Sequence, residues 1–325
     1  MNQYFYIKLK DPGFNTKTAP ILTRYIRRFT PINFTDNSIS HISNILENYD
    51  KNNNIIVFYQ HKDFSGFKHN LAAYLKSKKS VQFKLYLFTF DYWRPSYKAY
   101  FEPINYKVIT FAKNVEQLDI FLKQSHKEWE NNFIFKNYWC CYNESILDIN
   151  LKPLNKLFIS GCCSYSYPER QILHKKSKTN QNIISLGGTI QTDIKSGDYV
   201  YNKKLNSYFA CFSSSVSIFW GNPRYTEGIN GINTHAILLK TFEILGSGAL
   251  LVMPLHEEKY ISDIGLVNMD NCYLIDFSKE LDPQIDFIFH NIDLFNTIRT
   301  KGQHHAIKYL NEDIMIREIK DIIES

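Results

Sequence analysis

The stretch Asn233-Thr-His-Ala-Ile-Leu-Leu-Lys-Thr-Phe-Glu-Ile-Leu-Gly-Ser-Gly-Ala-Leu-Leu-Val-Met-Pro254 predicts a helix that stops at a glycine turn and leads into a buried strand. Asn233 and Thr234 are residue types that cap helix N-termini, and apolar residues recur after them at helical spacing. The Gly-Ser-Gly sequence at 246–248 predicts the helix end, and the apolar run 249–252 is typical of a strand in a parallel sheet. A helix followed at once by a buried strand indicates an α/β fold.

The same alternation of helix-like and strand-like patterns extends along the whole chain. Strand-like apolar runs lie at 55–59, 81–90, 106–111, 156–160, 183–186, 207–212 and 271–276. Strands separated by amphipathic helices indicate parallel βαβ units, which bind ligands beyond the carboxyl ends of their strands. We therefore predict two Rossmann-like domains that face a cleft, residues 1–152 and 153–325, with the last helix packing back on the first domain.

The composition is that of a folded protein of moderate charge. With 325 residues, of which 44% are hydrophobic and 22% charged, the chain can hold two domains of ordinary size. The net charge of +6 is spread along a sequence without a Lys/Arg cluster or nucleic-acid motif, so we expect no nucleic-acid partner. No apolar run is long enough for a transmembrane segment, and the N-terminus lacks the pattern of a signal peptide. The expected location is the cytoplasm, with peripheral attachment to a membrane left open.

The six cysteines predict buried thiols and no metal site. They occur as two adjacent pairs and two single residues: Cys140 and Cys141, Cys162 and Cys163, Cys211, and Cys272. Adjacent cysteines rarely bridge each other, and the sequence has no Cys-x-x-Cys, so a zinc site is not expected. Cysteines within apolar strands are usually structural, and we expect neither a metal nor a cofactor.

Three polar residues of the opening stretch, His235, Lys240 and Glu243, are not explained by core packing. A nucleoside-diphosphate sugar needs amide N–H groups and a cation for its diphosphate, and a carboxylate for its ribose hydroxyls. The glycine-containing segment that ends at Asn233 and Thr234 offers the amides. Lys240 offers the cation and Glu243 the carboxylate, and these two side chains share one helix face because they are three residues apart. Spacing alone favours a simpler interpretation, an exposed ion pair between Lys240 and Glu243.

The segment Lys240-Thr-Phe-Glu-Ile-Leu-Gly-Ser-Gly-Ala-Leu-Leu-Val resembles the donor-site signature of GT-B glycosyltransferases. It is similar to the family-1/family-4-like group, which includes the CgeB-like spore-coat-maturation type. Lys156-Leu-Phe-Ile-Ser-Gly, followed by Tyr167-Pro-Glu-Arg170, resembles the first strand and helix of the same carboxyl-terminal domain. The resemblance covers residues 156–325, including Gly302 where that family often has a glycine, and implies that this domain binds a nucleotide-sugar.

Further donor-site residues follow from the resemblance. Arg170, at a helix start, is implied to bind phosphate, and Arg224, in the glycine-containing loop before the donor helix, is a second candidate. Gly161 allows a close backbone approach, although ordinary turn geometry also explains it. An interdomain or surface ion pair also explains Arg170. Lys240 replaces the family's common arginine, and His235 stands where family-4 enzymes often carry the first of two glutamates. We expect His235 either to hydrogen-bond a phosphate or sugar hydroxyl, or to have no ligand.

Candidate catalytic residues come from the first domain, which the resemblance implies binds the acceptor. Asp91 ends a predicted strand, and His61 and Asp63 follow the end of the preceding strand. An inverting enzyme would use one of them as general base on the acceptor hydroxyl, whereas a retaining enzyme, which the family-4 likeness favours, needs no such base. Each is also explained as a polar residue that caps a loop.

These features predict a glycosyltransferase that moves a sugar from a nucleoside-diphosphate-sugar donor to a hydroxyl of a glycan, lipid or protein. The sequence lacks the Asp-x-Asp motif with which GT-A glycosyltransferases hold a divalent ion, so we expect metal-independent transfer. Two alternatives stay open. One is a catalytically inactive binding protein of the same fold, and the other is a nucleotide-sugar epimerase or phosphorylase.

Overall fold

A computed structural model describes residues 2–9, 28–59, 67–78, 80–89, 107–110, 133–135, 140–161, 163, 167–186, 198–214, 216–218 and 234–325. These residues form two compact units. The first unit holds the described residues before residue 139 together with Glu318–Ser325, and the second holds those from residue 140 to Arg317. Each unit is built on a parallel sheet, as the alternating pattern predicts. None of the described helices is long and apolar enough to cross a membrane.

The strands of the first unit form one parallel sheet in the order β2-β1-β3-β4-β5-β6. Their bounds are β1 Gln3–Leu9, β2 Thr30–Phe34, β3 Asn54–Tyr59, β4 Lys84–Thr89, β5 Lys107–Thr110 and β6 Phe133–Phe135. The described helices that lie between them in sequence are α1 Ile39–Leu46 and α2 Phe67–Ser77. The predicted strands at 55–59, 81–90 and 106–111 are confirmed as β3, β4 and β5, whereas the other three strands were not predicted.

The core of the first unit packs α1 and α2 against the sheet. Ile42 of α1 and Phe67 of α2 are buried in one apolar cluster with strand residues, because apolar side chains three and four apart share a helix face. The end of the last helix also belongs to this unit. There the Tyr86 hydroxyl donates a hydrogen bond of 3.2 Å to the Ile323 carbonyl.

The second unit carries a parallel sheet in the order β13-β12-β9-β7-β8 and a separate antiparallel pair, β10 and β11. The strands are β7 Leu154–Ile159, β8 Ile183–Ser185, β9 Tyr208–Phe212, β10 Val216–Ile218, β11 Thr234–Ala236, β12 Leu250–Pro254 and β13 Tyr273–Ile275. The helices are α3 Pro168–Lys176, α4 Asp198–Asn206, α5 Leu239–Ser247, α6 Glu258–Ile261, α7 Leu281–His290, α8 Ile292–Tyr309 and the beginning of α9 Glu312–Glu324, which belongs to the first unit from Glu318 on. Every strand predicted for this half is present within a few residues of its expected bounds.

The prediction for the opening stretch was wrong about where its helix begins. Thr234 does not cap a helix but lies in β11, which pairs antiparallel with β10, and α5 begins only at Leu239. Residue types that cap helices favour a helix start only where their backbone has no other hydrogen-bonding partner. Here the backbone of Thr234 pairs with β10 instead. The helix end is confirmed: Gly248 is the C-cap with φ +74°, a left-handed conformation that glycine adopts without strain. Gly246 lies within the helix, and β12 is buried along its whole length.

The long helix α8 is tied to the amino-end side of the sheet by a buried arginine. Arg299, only 3% exposed, donates hydrogen bonds to the carbonyls of Gly248 (3.1 Å) and Asn150 (2.8 Å). Its guanidinium carbon lies 5.1 Å from the ring centre of Phe209, and burial lowers its pKa from the ordinary value. On the same helix, a Cβ at Gly302 would collide with the Asn271 carbonyl, so this position requires a glycine for packing.

Most described cysteines are buried thiols, as predicted. Cys140, Cys141, Cys211 and Cys272 are buried, whereas Cys163 is partly exposed and Cys162 lies outside the described residues. Burial raises the pKa of Cys141 and of Cys272 to about 12. A thiol with a raised pKa is a poor nucleophile, so these cysteines belong to the core.

Candidate functional site

The second sheet reverses its strand order beside β7. The chain places β8 on one side of β7 and then crosses to β9 on the other side. In open α/β sheets, such a switch point opens a crevice at the carboxyl ends of the two strands. Ser160 and Gly161 directly follow the carboxyl end of β7, and Ser213 and Ser214 directly follow that of β9.

Two cationic side chains meet over the bare α-carbon of Gly161. A Cβ built on this residue would lie 2.5 Å from Lys240 Nζ and 3.2 Å from Arg170 Nη1. Its φ of +93° lies in the left-handed region that favours glycine. Gly161 is therefore required both by its backbone conformation and by the two cations beside it.

Arg170 is held at the start of α3. Tyr167 occupies the N-cap and Pro168 the first turn, and the guanidinium carbon lies 4.1 Å from the centre of the Tyr167 ring. Arg170 is only 2% exposed and donates a hydrogen bond of 3.1 Å to the Ser214 carbonyl. Burial lowers its pKa from the ordinary value. Its Nε has no hydrogen-bond partner among the described residues, and neither does the buried Ser214 hydroxyl.

Lys240 enters the same place from the first turn of α5. It is partly buried, and its ammonium group donates a hydrogen bond to the Ser160 carbonyl. Burial lowers the pKa of Lys240, as does the nearby charge of Arg170, while Glu243 acts in the opposite direction. The Lys240 ammonium group therefore lies at the end of β7. An exposed ion pair with Glu243, the simpler interpretation of the sequence, does not explain this position.

The site contains polar residues that the sequence reasoning missed. The Tyr201 hydroxyl lies 2.7 Å from the Ser160 hydroxyl, and burial, together with the charge of Glu243, raises the pKa of Tyr201, so it remains a neutral phenol. The Ser213 and Thr241 hydroxyls lie 3.0 Å apart in the interior. The serines come directly after strand ends, so the carboxyl-end rule applied strictly would have found them.

The N-terminus of α5 adds a partial positive charge to those of Lys240 and Arg170. Its N-cap residue is Leu238, whose side chain makes no capping hydrogen bond. The first amide groups of a helix carry a partial positive charge and bind anions well. Together with Lys240 and Arg170, they are the kind of donors that a phosphate or diphosphate needs, so this place is a candidate anion site.

The structure brings together four of the predicted donor-site residues. Gly161, Arg170, Lys240 and Glu243 lie at the carboxyl ends of β7 and β9 or on α5 beside them. For Thr234 and His235 it describes only the backbone, which pairs with Ile218 and Ser217. The remaining candidates lie outside the described residues: Asn233, Arg224, Asp91, His61 and Asp63. Within the described part of the chain, no group of three or more His, Cys, Asp or Glu residues is placed to hold a metal ion.

Solved structures resemble this chain along its full length, whereas no protein-family model and no curated protein matches its sequence. A glycosyltransferase from Rickettsia africae ESF-5 has 11% identity and a TM-score of 0.61, covering 99% of this chain and 98% of its own. Anabaena Alr3699/HepE, in complex with UDP and glucose, has 9% identity and a TM-score of 0.58 at full coverage of both chains, 100% and 100%. The DNA-modifying β-glucosyltransferase, solved with and without uridine diphosphoglucose, has 15% identity and a TM-score of 0.58, covering 99% and 100%. At these identities the likeness shows the fold, and it confirms the predicted class: two parallel-sheet α/β domains of the GT-B type.

Proposed function

We propose that this chain is a glycosyltransferase that transfers a sugar from a nucleoside-diphosphate-sugar donor to a hydroxyl of a glycan, lipid or protein. The observation that carries the proposal is the meeting of Arg170 and Lys240 over Gly161, beside the N-terminus of α5. Two structures of the same fold were solved with UDP or uridine diphosphoglucose, which supports a nucleotide-sugar as the ligand. The CgeB-like resemblance of the sequence is consistent with the same activity.

In this proposal, the residues act mainly on the leaving group. As the bond between the sugar and the diphosphate breaks, negative charge grows on the diphosphate. Arg170 and Lys240, already in place, stabilise that charge without reorganisation. Glu243, one turn after Lys240, accepts hydrogen bonds from the ribose hydroxyls. The spare Nε of Arg170 is a donor that the bound diphosphate would satisfy.

The finer parts of the proposal rest on the resemblance. The acceptor binds the first domain, and Asp91, His61 and Asp63 remain the candidates for a general base if transfer inverts the anomeric carbon. Retention is the outcome that the family-4 likeness favours. We propose that two cations and a helix N-terminus make a resident metal or cofactor unnecessary, so addition of EDTA should leave the rate unchanged.

A thermal-shift screen tests the proposal. We expect UDP, GDP or TDP, or one of their sugars, to raise Tm. At a concentration of about 100 Kd, the stabilisation is roughly 2.7 kcal/mol, which corresponds to several degrees. Incubation of the matching nucleotide-sugar with mixed glycan, lipid and peptide acceptors should then release the nucleoside diphosphate. The proposal fails if no nucleotide raises Tm and no donor yields diphosphate.

A non-catalytic binding protein of the same fold is the second candidate, because His235 stands where the resembling family often has a carboxylate. Glu243→Gln separates the two functions. Since the carboxylate's hydrogen bonds to ribose are each worth about 1.5–3 kcal/mol, transfer should fall by roughly 10- to 100-fold with Tm unchanged. Nucleotide binding without release of diphosphate by the unchanged chain, over the whole acceptor panel, would support the binding protein instead.

A further inference from the structure

A carboxylate and an imidazole meet at the carboxyl edge of the second sheet, outside the anion site. His256 Nε2 lies 3.6 Å from Glu169 Oε1. Glu169 is in the first turn of α3, directly before Arg170, and His256 is the second residue after β12. Neither residue takes part in the diphosphate binding proposed above.

Hydrogen bonds place this pair across the end of β9. The Ser213 amide donates a hydrogen bond of 3.0 Å to the Val252 carbonyl of β12, and Arg170 donates to the carbonyl of the next residue, Ser214. The end of β9 is therefore joined to β12 on one side and to α3 on the other. Glu169 and His256 span the same two elements, so they lie beside the anion site.

Solvent reaches the imidazole of this pair more than the carboxylate. The His256 side chain is 46% exposed, whereas that of Glu169 is 11% exposed. The carboxylate is thus mostly buried, and the imidazole is open to solvent at the carboxyl edge of the sheet. A fixed carboxylate accepts hydrogen bonds from hydroxyl groups, and an imidazole both donates and accepts them.

We propose that Glu169 and His256 bind hydroxyl groups of the donor's sugar and so determine which sugar this chain accepts. The inference rests on the proposed function. A sugar attached to a diphosphate at Arg170 and Lys240 extends to the neighbouring part of the rim, where this pair stands. The resembling family often has a glutamate at position 235, where this chain has a histidine. Glu169 supplies a carboxylate at this edge of the sheet in its place. A site built to pair with hydroxyls rejects sugars that lack them, because its polar groups are then left unpaired.

The test compares the affinity for a nucleoside diphosphate with that for its sugar derivative. Titration calorimetry would measure the Kd of UDP and of UDP-glucose, or of whichever matching pair raises Tm in the screen. We expect Glu169→Gln and His256→Ala each to weaken binding of the sugar derivative at least about tenfold, with the affinity for the diphosphate within twofold. His256→Gln, which keeps a donor and an acceptor, should restore part of the loss. His304→Ala, an exposed histidine on α8, is the matched control and should change neither affinity.

Other outcomes overturn the inference in distinguishable ways. If both variants lose the two affinities equally, and Tm falls, the pair only supports the fold of the rim. If neither variant changes the Kd of the sugar derivative, the sugar lies elsewhere and the proposed function still stands. If the unchanged chain binds no nucleoside diphosphate at all, the proposed function fails, and this inference fails with it.

Discussion

Arg170→Met should weaken nucleotide binding at least about 100-fold while the chain stays folded. Arg170 is 2% exposed, and burial opposes its charge, so methionine of similar volume removes a desolvation cost while keeping the packing. The loss of the hydrogen bond to the Ser214 carbonyl costs about 1–3 kcal/mol and offsets part of that gain. The diphosphate loses its charge-assisted hydrogen bonds, so we expect Kd to rise at least about 100-fold. Calorimetric titration and urea unfolding measure the two effects separately.

A second buried arginine of the same unit provides the matched control. Arg299 is 3% exposed and donates to the carbonyls of Gly248 and Asn150 on the amino-end side of the sheet. Arg299→Met removes a similar desolvation cost but breaks hydrogen bonds to two carbonyls instead of one, so the free energy of unfolding should fall by about 1–3 kcal/mol while nucleotide affinity is kept. Equal losses of affinity in the two variants would show that Arg170 acts through the fold and not through the ligand.

The opening stretch shows how far local sequence rules lead in this chain. Its glycine turn at Gly248 and its buried strand were predicted because conformational freedom and apolar composition act locally. The start of its helix was misplaced because the fate of Thr234 depends on a pairing with Ile218, which no local rule contains. Strand and helix types were therefore easier to predict than the exact residues where they begin.

The residues of the candidate site were also predicted only in part. Arg170 and Lys240 were predicted individually, but their meeting depends on the crossover from β8 to β9 and on the φ of Gly161. Glu169 and His256 were missed because they come from distant parts of the chain and match no spacing rule. Residue types and their positions after strand ends thus predict the edge of the sheet, whereas the fold alone decides which residues meet there.

Gly161→Ala should remove nucleotide binding through a single added methyl group. The new Cβ would lie 2.5 Å from Lys240 Nζ and 3.2 Å from Arg170 Nη1, so Lys240 must move away from the position that the diphosphate needs and Arg170 must shift by a few tenths of an ångström. The left-handed backbone adds a stability cost of roughly 1–2 kcal/mol for a residue with a Cβ. A displacement of about 1 Å at such a site is enough to lower the rate of transfer about 100-fold.

Gly265→Ala separates the effect on the site from the effect on the backbone. Gly265 has a φ of +75°, and its new Cβ would also meet a side chain, 2.5 Å from His305 Cε1. Both alanine variants should therefore lose similar stability in urea unfolding, since the same strain is introduced in each. Only Gly161→Ala should lose the rise in Tm with nucleotide, because only Gly161 lies between the two cations. A normal nucleotide-induced rise in the Gly161→Ala variant would mean that the diphosphate does not bind at this glycine, and the proposed donor site would then be misplaced.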